Sequence, residues 1–243
     1  MDDLEFILLD RSGALVKAWN DAFAELVPDN IRGKFTTVSS MLSALESPHN
    51  QFDCIVSPAN SYGFLDGGQV LSPIAMIFDH YISETLSPND YHEPTRHVQS
   101  VLYDRWRGFA PPGTCTIIPL EGSTCAKNQH QCSFIALCPT MRVPEVVTWN
   151  RELVYNVMWS LLVSLDQHNR AVNDSGKGTP IRKVLMTGLG TATGYISAER
   201  CARQMASAIR DFAEACAQPK KWKSLTWSDA YGYANEGKST HAL

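Results

Sequence analysis

The chain is poor in charge and has no excess of positive sign: 19% of its 243 residues are Asp, Glu, Lys or Arg, and the formal net charge is −4. Lysines and arginines are scattered except for Lys220, Lys221 and Lys223. Such a balance gives no field to hold a polyphosphate backbone, which excludes nucleic-acid binding through a basic face. No apolar run reaches the ~20 residues that cross a bilayer. The opening MDDLEFILLD has no basic start, long apolar core or small-residue cleavage site, so no leader is expected. There is no internal repeat and no low-complexity tract. Seven cysteines, an odd number at irregular spacing, fit reduced and mostly buried thiols better than a disulfide framework. The expectation is a soluble monomer of the cytoplasm or nucleus, without membrane contact.

What is present is enough apolar material, 44% of the residues, for one large α/β domain. EFILLD (5–10) reads as a buried strand, and the segment from Ser12 carries Leu15, Trp19, Phe23 and Leu26 at helical spacing. KFTTV predicts a second strand, followed by a brief helix through Met41, Leu42 and Leu45. FDCIVSPAN predicts a central strand, a continuous apolar run bounded by turn residues. Ser72-Pro73 fits a helix start, with Ile74, Ile77, Phe78, Tyr81 and Ile82 on one face. TCTIIPL (114–120) and SFIALCPTM (133–141) predict two more strands, and a long helix after Asn150 aligns Leu153, Val157, Leu161 and Leu165. KVLMT (183–187) predicts the last strand, before a helix with Cys201, Met205, Ile209, Phe212 and Cys216 on one side. Residues 83–113, rich in Pro, Asn and His, read as an irregular excursion with one short helix over 98–106. Residues beyond Pro219 have no clear pattern, and fraying is expected at their end. Alternating strands and helices predict a mostly parallel sheet covered on both faces.

Two glycine-bearing loops follow predicted strand ends, 57–69 and 188–195. Ligands of an open parallel sheet collect outside those ends. Glycines let the backbone approach an anion and turn N–H groups toward it, and a helix start adds partial positive charge. A phosphate or diphosphate is therefore the expected guest, although a glycine-rich strand-to-helix connection can equally be a plain tight turn. The second loop lacks the lysine and following Ser or Thr of a nucleoside triphosphate loop. Gly188, Gly190 and Gly194 follow a strand as in a dinucleotide fold, but no later strand ends in an acidic ribose-binding residue. A nicotinamide-dependent oxidoreductase is the outside alternative.

Taken together, IVSPANSYGFLDGG and VLMTGLGTATGYIS resemble the two signature loops of the macro domain, the ADP-ribose-binding module. The form with Ser-Pro before Asn60 and Ser-Tyr-Gly after it is similar to a fungal branch of macro-like proteins described as ADP-ribose 1''-phosphate phosphatases. The similarity takes in ILLD near the start, CPTM and VYNVMWSLL, and extends over strands from about Phe6 to Phe212. It implies a three-layer α/β/α fold around a mostly parallel, mixed sheet of about six strands. The domain is expected over residues 1–218, with an aromatic and polar tail, 219–243, partly ordered against it.

The resemblance implies that Asn60 meets the distal ribose, its carboxamide donating and accepting at vicinal hydroxyls. Gly67 and Gly68 would pack on the ribose and diphosphate, with Ser57, Ser61, Tyr62 and Gln69 close by. Gly188, Leu189, Gly190, Thr191, Ala192, Thr193 and Gly194 would wrap the phosphates, and Tyr195 or Ile196 would stand near the distal ribose. Asp10, with Arg11 beside it, matches the acid expected near the adenine amine; the alternative is a turn acid before a helix. Departures are Ser57 and Pro58 where many members have Asn and Ala, a short glycine run starting at Asp66, and Gln69, Val70 and Leu71 where members that remove ADP-ribose from proteins often carry an acid.

The implied function is binding of ADP-ribose, with hydrolysis of its 1''-phosphate by a metal-free, cofactor-free site in which backbone N–H groups stabilise charge. Asn60 would orient a water and Asp66 is the nearest candidate base, or else a solvated turn residue. The alternative is a reader of ADP-ribose or ADP-ribosylated protein without turnover. Cys125, His130, Cys132 and Cys138 match no familiar zinc spacing and read as a loop with incidental thiols. His92 and His97 read as surface histidines, a lid over the ligand being the alternative.

Overall fold

The structure, a computed structural model, describes residues 3–66 and 78–243. Gly67, Gly68 and Gln69, the Ser72-Pro73 helix start, and Ile74 and Ile77 lie outside the described residues.

Six strands form one sheet: β1 (Glu5–Asp10), β2 (Phe35–Ser39), β3 (Cys54–Ser57), β4 (Thr116–Pro119), β5 (Phe134–Leu137) and β6 (Lys183–Met186). Their order is β2-β1-β6-β3-β5-β4, parallel throughout except for β4, which runs antiparallel to β5 at one edge. The apolar runs found in the sequence are these strands, and the reason they are continuous is now visible. Successive residues of each strand enter opposite faces: Phe6 and Leu8 of β1 join one core, while Ile7 and Leu9 join the other. Cys54 and Val56 of β3, and Val184 and Met186 of β6, face the first core, with Ile55 and Leu185 opposite. A sheet covered on both faces has no polar side to alternate with.

One covering layer is α1 (Gly13–Leu26), α5 (Leu153–Ser175) and α6 (Ala198–Ala217), whose apolar stripes bury Leu15, Trp19 and Phe23, Val157, Leu161 and Leu165, and Met205, Ile209 and Phe212. A four-residue turn of helix, α2 (Asp29–Arg32), links α1 to β2. The other layer holds α3 (described from Phe78 to Leu86), α4 (Glu93–Trp106) and the short 3-10 turn Leu42–Ala44. The result is a three-layer α/β/α arrangement around a mixed, mostly parallel sheet, as expected.

One expectation needs correction. The 83–113 stretch is mostly helical: α3 runs to Leu86 and α4 begins at Glu93, earlier than predicted. Pro94 stands in its first turn, where the missing N–H costs nothing. The end of the chain, expected to be partly ordered against the domain, forms α7 (Pro219–Trp222) and α8 (Trp227–Ser239). Trp222 stacks on Trp159 of α5 with ring centroids 5.4 Å apart and meets Tyr233 of α8 at 5.0 Å. Tyr233 donates to Glu214 of α6 at 2.6 Å, and Thr240, at the end of α8, is buried and accepts from Gln204 at 2.8 Å. Thr226 and Asp229 form a reciprocal cap at the start of α8. Of the predicted stripe on α6, Cys216 is exposed. None of the seven cysteines is in a disulfide, and five are buried.

Among the described residues, no helix is long and apolar enough to cross a membrane.

Candidate functional site

The parallel strands point their carboxyl ends at one edge of the sheet, and a cleft of ≈ 200 Å³ opens there. Its described walls come from five strand ends: Ser40 after β2, Asp10 and Arg11 at the end of β1, Gly188, Gly190, Thr191, Ala192 and Thr193 after β6, Pro58 and Asn60 after β3, and Thr140 and Met141 after β5. Phe64, Phe78, Asp79 and Tyr81 close one side, with Leu9, Met41 and Leu42 at the other. The volume is below the range of about 300–1,000 Å³ usual for small-molecule sites, so a dinucleotide-sized ligand would extend beyond it.

Strand order orders the wall. β6 lies between β1 and β3, so the 188–193 loop stands between Asp10 and Asn60. This is a switch point of the sheet: α1 leads from β1 outward to β2, while the chain after β3 builds the opposite edge.

The 188–196 loop is folded on itself. Ile196 N–H donates to Gly190 O at 3.0 Å, Tyr195 N–H to Ala192 O at 3.1 Å, and Val147 N–H to Gly194 O at 3.0 Å. Gly190 has φ +69°, and a Cβ on Gly194 would lie 2.5 Å from Gly190 O and 2.8 Å from Val147 Cγ2. Tyr195 also has a positive φ, 57°, a costly conformation for a side-chain-bearing residue that the surrounding hydrogen bonds enforce. Thr191 and Thr193 make no hydrogen bond to any described residue, so their N–H and hydroxyl groups are available to a ligand. The loop ends at Ser197, which caps α6 by accepting from Arg200 N–H at 3.1 Å.

Asn60 is positioned by pairing that continues past the strands. Cys138 N–H donates to Ser57 O at 2.8 Å, Thr140 N–H to Ala59 O at 3.1 Å, and Ser61 N–H to Met141 O at 3.0 Å. Its carboxamide closes the following turn: Nδ2 donates to Phe64 O at 2.9 Å, while Oδ1 accepts from the N–H groups of Tyr62 at 3.1 Å and Phe64 at 3.3 Å. Both acceptor sites are thereby occupied, leaving one N–H to donate. The expected pairing of this amide with two hydroxyls, as donor and acceptor at once, does not fit that arrangement.

The remaining candidates divide. Asp10 lines the cleft, and its Oδ1 also accepts from Ser12 N–H at 2.6 Å, so it serves the start of α1 as well. Arg11 is the one cation among the described lining residues. Ser57 and Ser61 are fully buried behind the wall, and Leu189 and Ile196 belong to the core. Tyr62 packs edge-on against Phe109 and accepts from Arg142 Nε at 3.2 Å, away from the wall. Gly194 shapes the loop from behind, and Tyr195 is 72% exposed outside the cleft. Asp66 does not line the cleft; its carboxylate is 4.0 Å from His92 Nδ1.

Asp79 is the site residue that sequence reasoning missed. It is 4% exposed, lies in the first described turn of α3, lines the cleft, and accepts from Ser57 Oγ at 2.6 Å. Burial pushes its carboxyl up to about 7, against the opposing pull of the Ser57 hydrogen bond. Nearby, Tyr91 accepts or donates to His80 Nδ1 at 2.8 Å, and its phenol is pushed up to about 12 by burial and then by the charges of Asp66, Glu84 and Asp79.

Among the described residues no group of three His, Cys, Asp or Glu could hold a metal ion. His130 instead hydrogen-bonds Asn50 O at 2.6 Å and stacks on Phe52, while Cys125 and Cys132 are buried. His97 meets Pro119 O at 2.7 Å. After α6 no strand follows among the described residues, so the second half that a dinucleotide fold uses is not there. No protein-family profile matches the chain, and neither does any curated protein sequence.

Proposed function

We propose that the cleft binds ADP-ribose and releases phosphate from ADP-ribose 1''-phosphate. The observation that carries the reading is the convergence of the two loops, distant in the chain, on one cleft with Asp10 at its far side. The order Asp10, glycine loop, Asn60 along the sheet edge suits a ligand with a base at one end, a diphosphate in the middle and a sugar at the other. Asp10 offers a carboxylate oxygen to an exocyclic amine, beside the apolar Leu9, Met41 and Leu42. Thr191 and Thr193, without hydrogen bonds to the described residues, line the middle, where N–H donors would offset phosphate charge without a metal. Asn60 supplies one N–H at the sugar end, and Phe64, Phe78 and Tyr81 supply apolar and aromatic surface.

The test is phosphate release from ADP-ribose 1''-phosphate by the purified protein, with Thr193→Pro as the loop variant. The reading expects turnover that this variant abolishes. Equal activity of the variant counts against it.

A second reading, a binder of ADP-ribose or ADP-ribosylated protein without turnover, is favoured by two observations. The Asn60 amide is committed to its own turn, and Asp66 stands outside the wall. ADP-ribose affinity with no phosphate release would select it.

A further inference from the structure

Of the two carboxylates among the described lining residues, Asp10 is partly open and shared with the start of α1, whereas Asp79 is buried in the wall. A buried carboxyl group in the wall of an anion site repels the ligand whenever it ionises, so its presence there calls for a use. Its partner Ser57 is not a nucleophile candidate, because it is fully buried and does not line the cleft. The hydroxyl can only hold the carboxylate: it donates to Oδ1 at 2.6 Å from the end of β3, while the carboxylate is carried by α3. Two elements of the scaffold thus fix one acidic group at the surface where the ligand sits.

We infer that Asp79, oriented by Ser57, is the proton-accepting residue of this cleft: it takes the proton of the water that attacks the terminal phosphorus of a phosphomonoester bound between the Asn60 turn and the 188–193 loop. The inference rests on the reading of the cleft as an ADP-ribose site and deepens it. The water oxygen forms the new P–O bond and its proton passes to the carboxylate. The bond from phosphorus to the ribose oxygen breaks, the electron pair stays on that oxygen, and the proton returned from the carboxyl group neutralises it. One water is consumed, ADP-ribose and inorganic phosphate are the products, and nothing is oxidised or reduced.

The surroundings suit the role. Burial raises the carboxyl to about 7, close to where a general base combines an available lone pair with useful basicity. From β3 it meets Ser57, and across the cleft stand Asp10 and Arg11 at the end of β1. His80, Tyr81 and Glu84 share its helix, and Tyr91 and Asp66 lie in the same electrostatic neighbourhood from the flanking segments. Burial is what resists ionisation of Asp79, and the Ser57 hydrogen bond is what opposes it.

The experiment is the pH dependence of phosphate release from ADP-ribose 1''-phosphate by the wild type, Asp79→Asn and Ser57→Ala, with ADP-ribose titration of each protein alongside. The wild type is expected to show kcat rising with pH through a limb near 7. Asp79→Asn should lose kcat by about 100-fold or more and lose the limb, with KM and ADP-ribose affinity changed only a few-fold. Ser57→Ala removes the hydrogen bond that favours the ionised form, so its limb should move to higher pH. Asp79→Asn with near-wild-type kcat, or a limb that persists in it or stays in place in Ser57→Ala, overturns the inference. A wild type that binds ADP-ribose but releases no phosphate overturns it while leaving the binding site standing. A wild type that does not bind ADP-ribose overturns both.

Discussion

Replacing Asp79 with asparagine should change how stability depends on pH, independently of any ligand. The carboxyl is buried, and its ordinary value of 3.8 rises to about 7 in the folded protein. Between those values the unfolded chain releases this proton and the folded chain keeps it, so folding becomes less favourable as pH rises. The stabilisation is complete below the unfolded value, is lost progressively on the way up, and is gone above about 7. From pH 5 to pH 8 the two titrations differ over about two pH units, which at ~1.4 kcal/mol each is about 3 kcal/mol. That is a large share of the ~5–15 kcal/mol by which a domain is stable. Asparagine keeps the shape and can still accept from Ser57 Oγ, but it does not titrate. Urea unfolding at pH 5 and pH 8 should therefore show the wild type losing about 3 kcal/mol more than Asp79→Asn over this interval, with m-values unchanged. Histidines and the other acids titrate in both proteins and cancel in the comparison. Parallel stability curves for the two proteins would refute the buried Asp79 with a raised carboxyl described above.

Other predictions follow from the loops and the tail. In Gly194→Ala the new methyl would meet Gly190 O and Val147 Cγ2, so the 188–196 loop must open, and ADP-ribose affinity in calorimetry should fall by tenfold or more on the scale of ~1.4 kcal/mol per decade. Asn60→Ala deletes three hydrogen bonds that close the 60–64 turn; thermal unfolding should show a loss of about 1–3 kcal/mol, and an unchanged midpoint would contradict the turn-closing role. Trp222→Ala removes the ring held between Trp159 and Tyr233 and should cost about 2–4 kcal/mol in urea unfolding, without altering ligand affinity, since none of its neighbours lines the cleft.

The sheet was legible because its strands are covered on both faces, so 5–10, 54–57 and 183–186 stand out as apolar runs bounded by turn residues. Helices with a buried stripe, α1 and α5, were equally plain. The start of α4 was hidden by Asp90, His92 and Pro94, residues that suit a loop as well as a first helical turn. Helix α8 carries no buried residue, and it is held by contacts at its flanks, the Trp222 stack and Thr240, which no periodicity reveals. The two loops were legible as glycine-bearing strand ends. The use of Asn60 was not, because an asparagine that bonds its own turn looks the same in sequence as one that greets a ligand. Asp79 was hidden for a related reason: on an amphipathic helix an acid between Phe78 and His80 reads as solvent-facing, and only the approach of β3 shows that it is buried against Ser57.

We propose that the cleft between the Asn60 turn and the 188–193 loop receives a nucleoside diphosphate joined to a second ribose. Calorimetric titration of the wild-type protein with ADP-ribose, ADP and NAD tests it most directly. Preference for ADP-ribose over both is the predicted result; no heat with ADP-ribose, or equal affinity for all three, would contradict it.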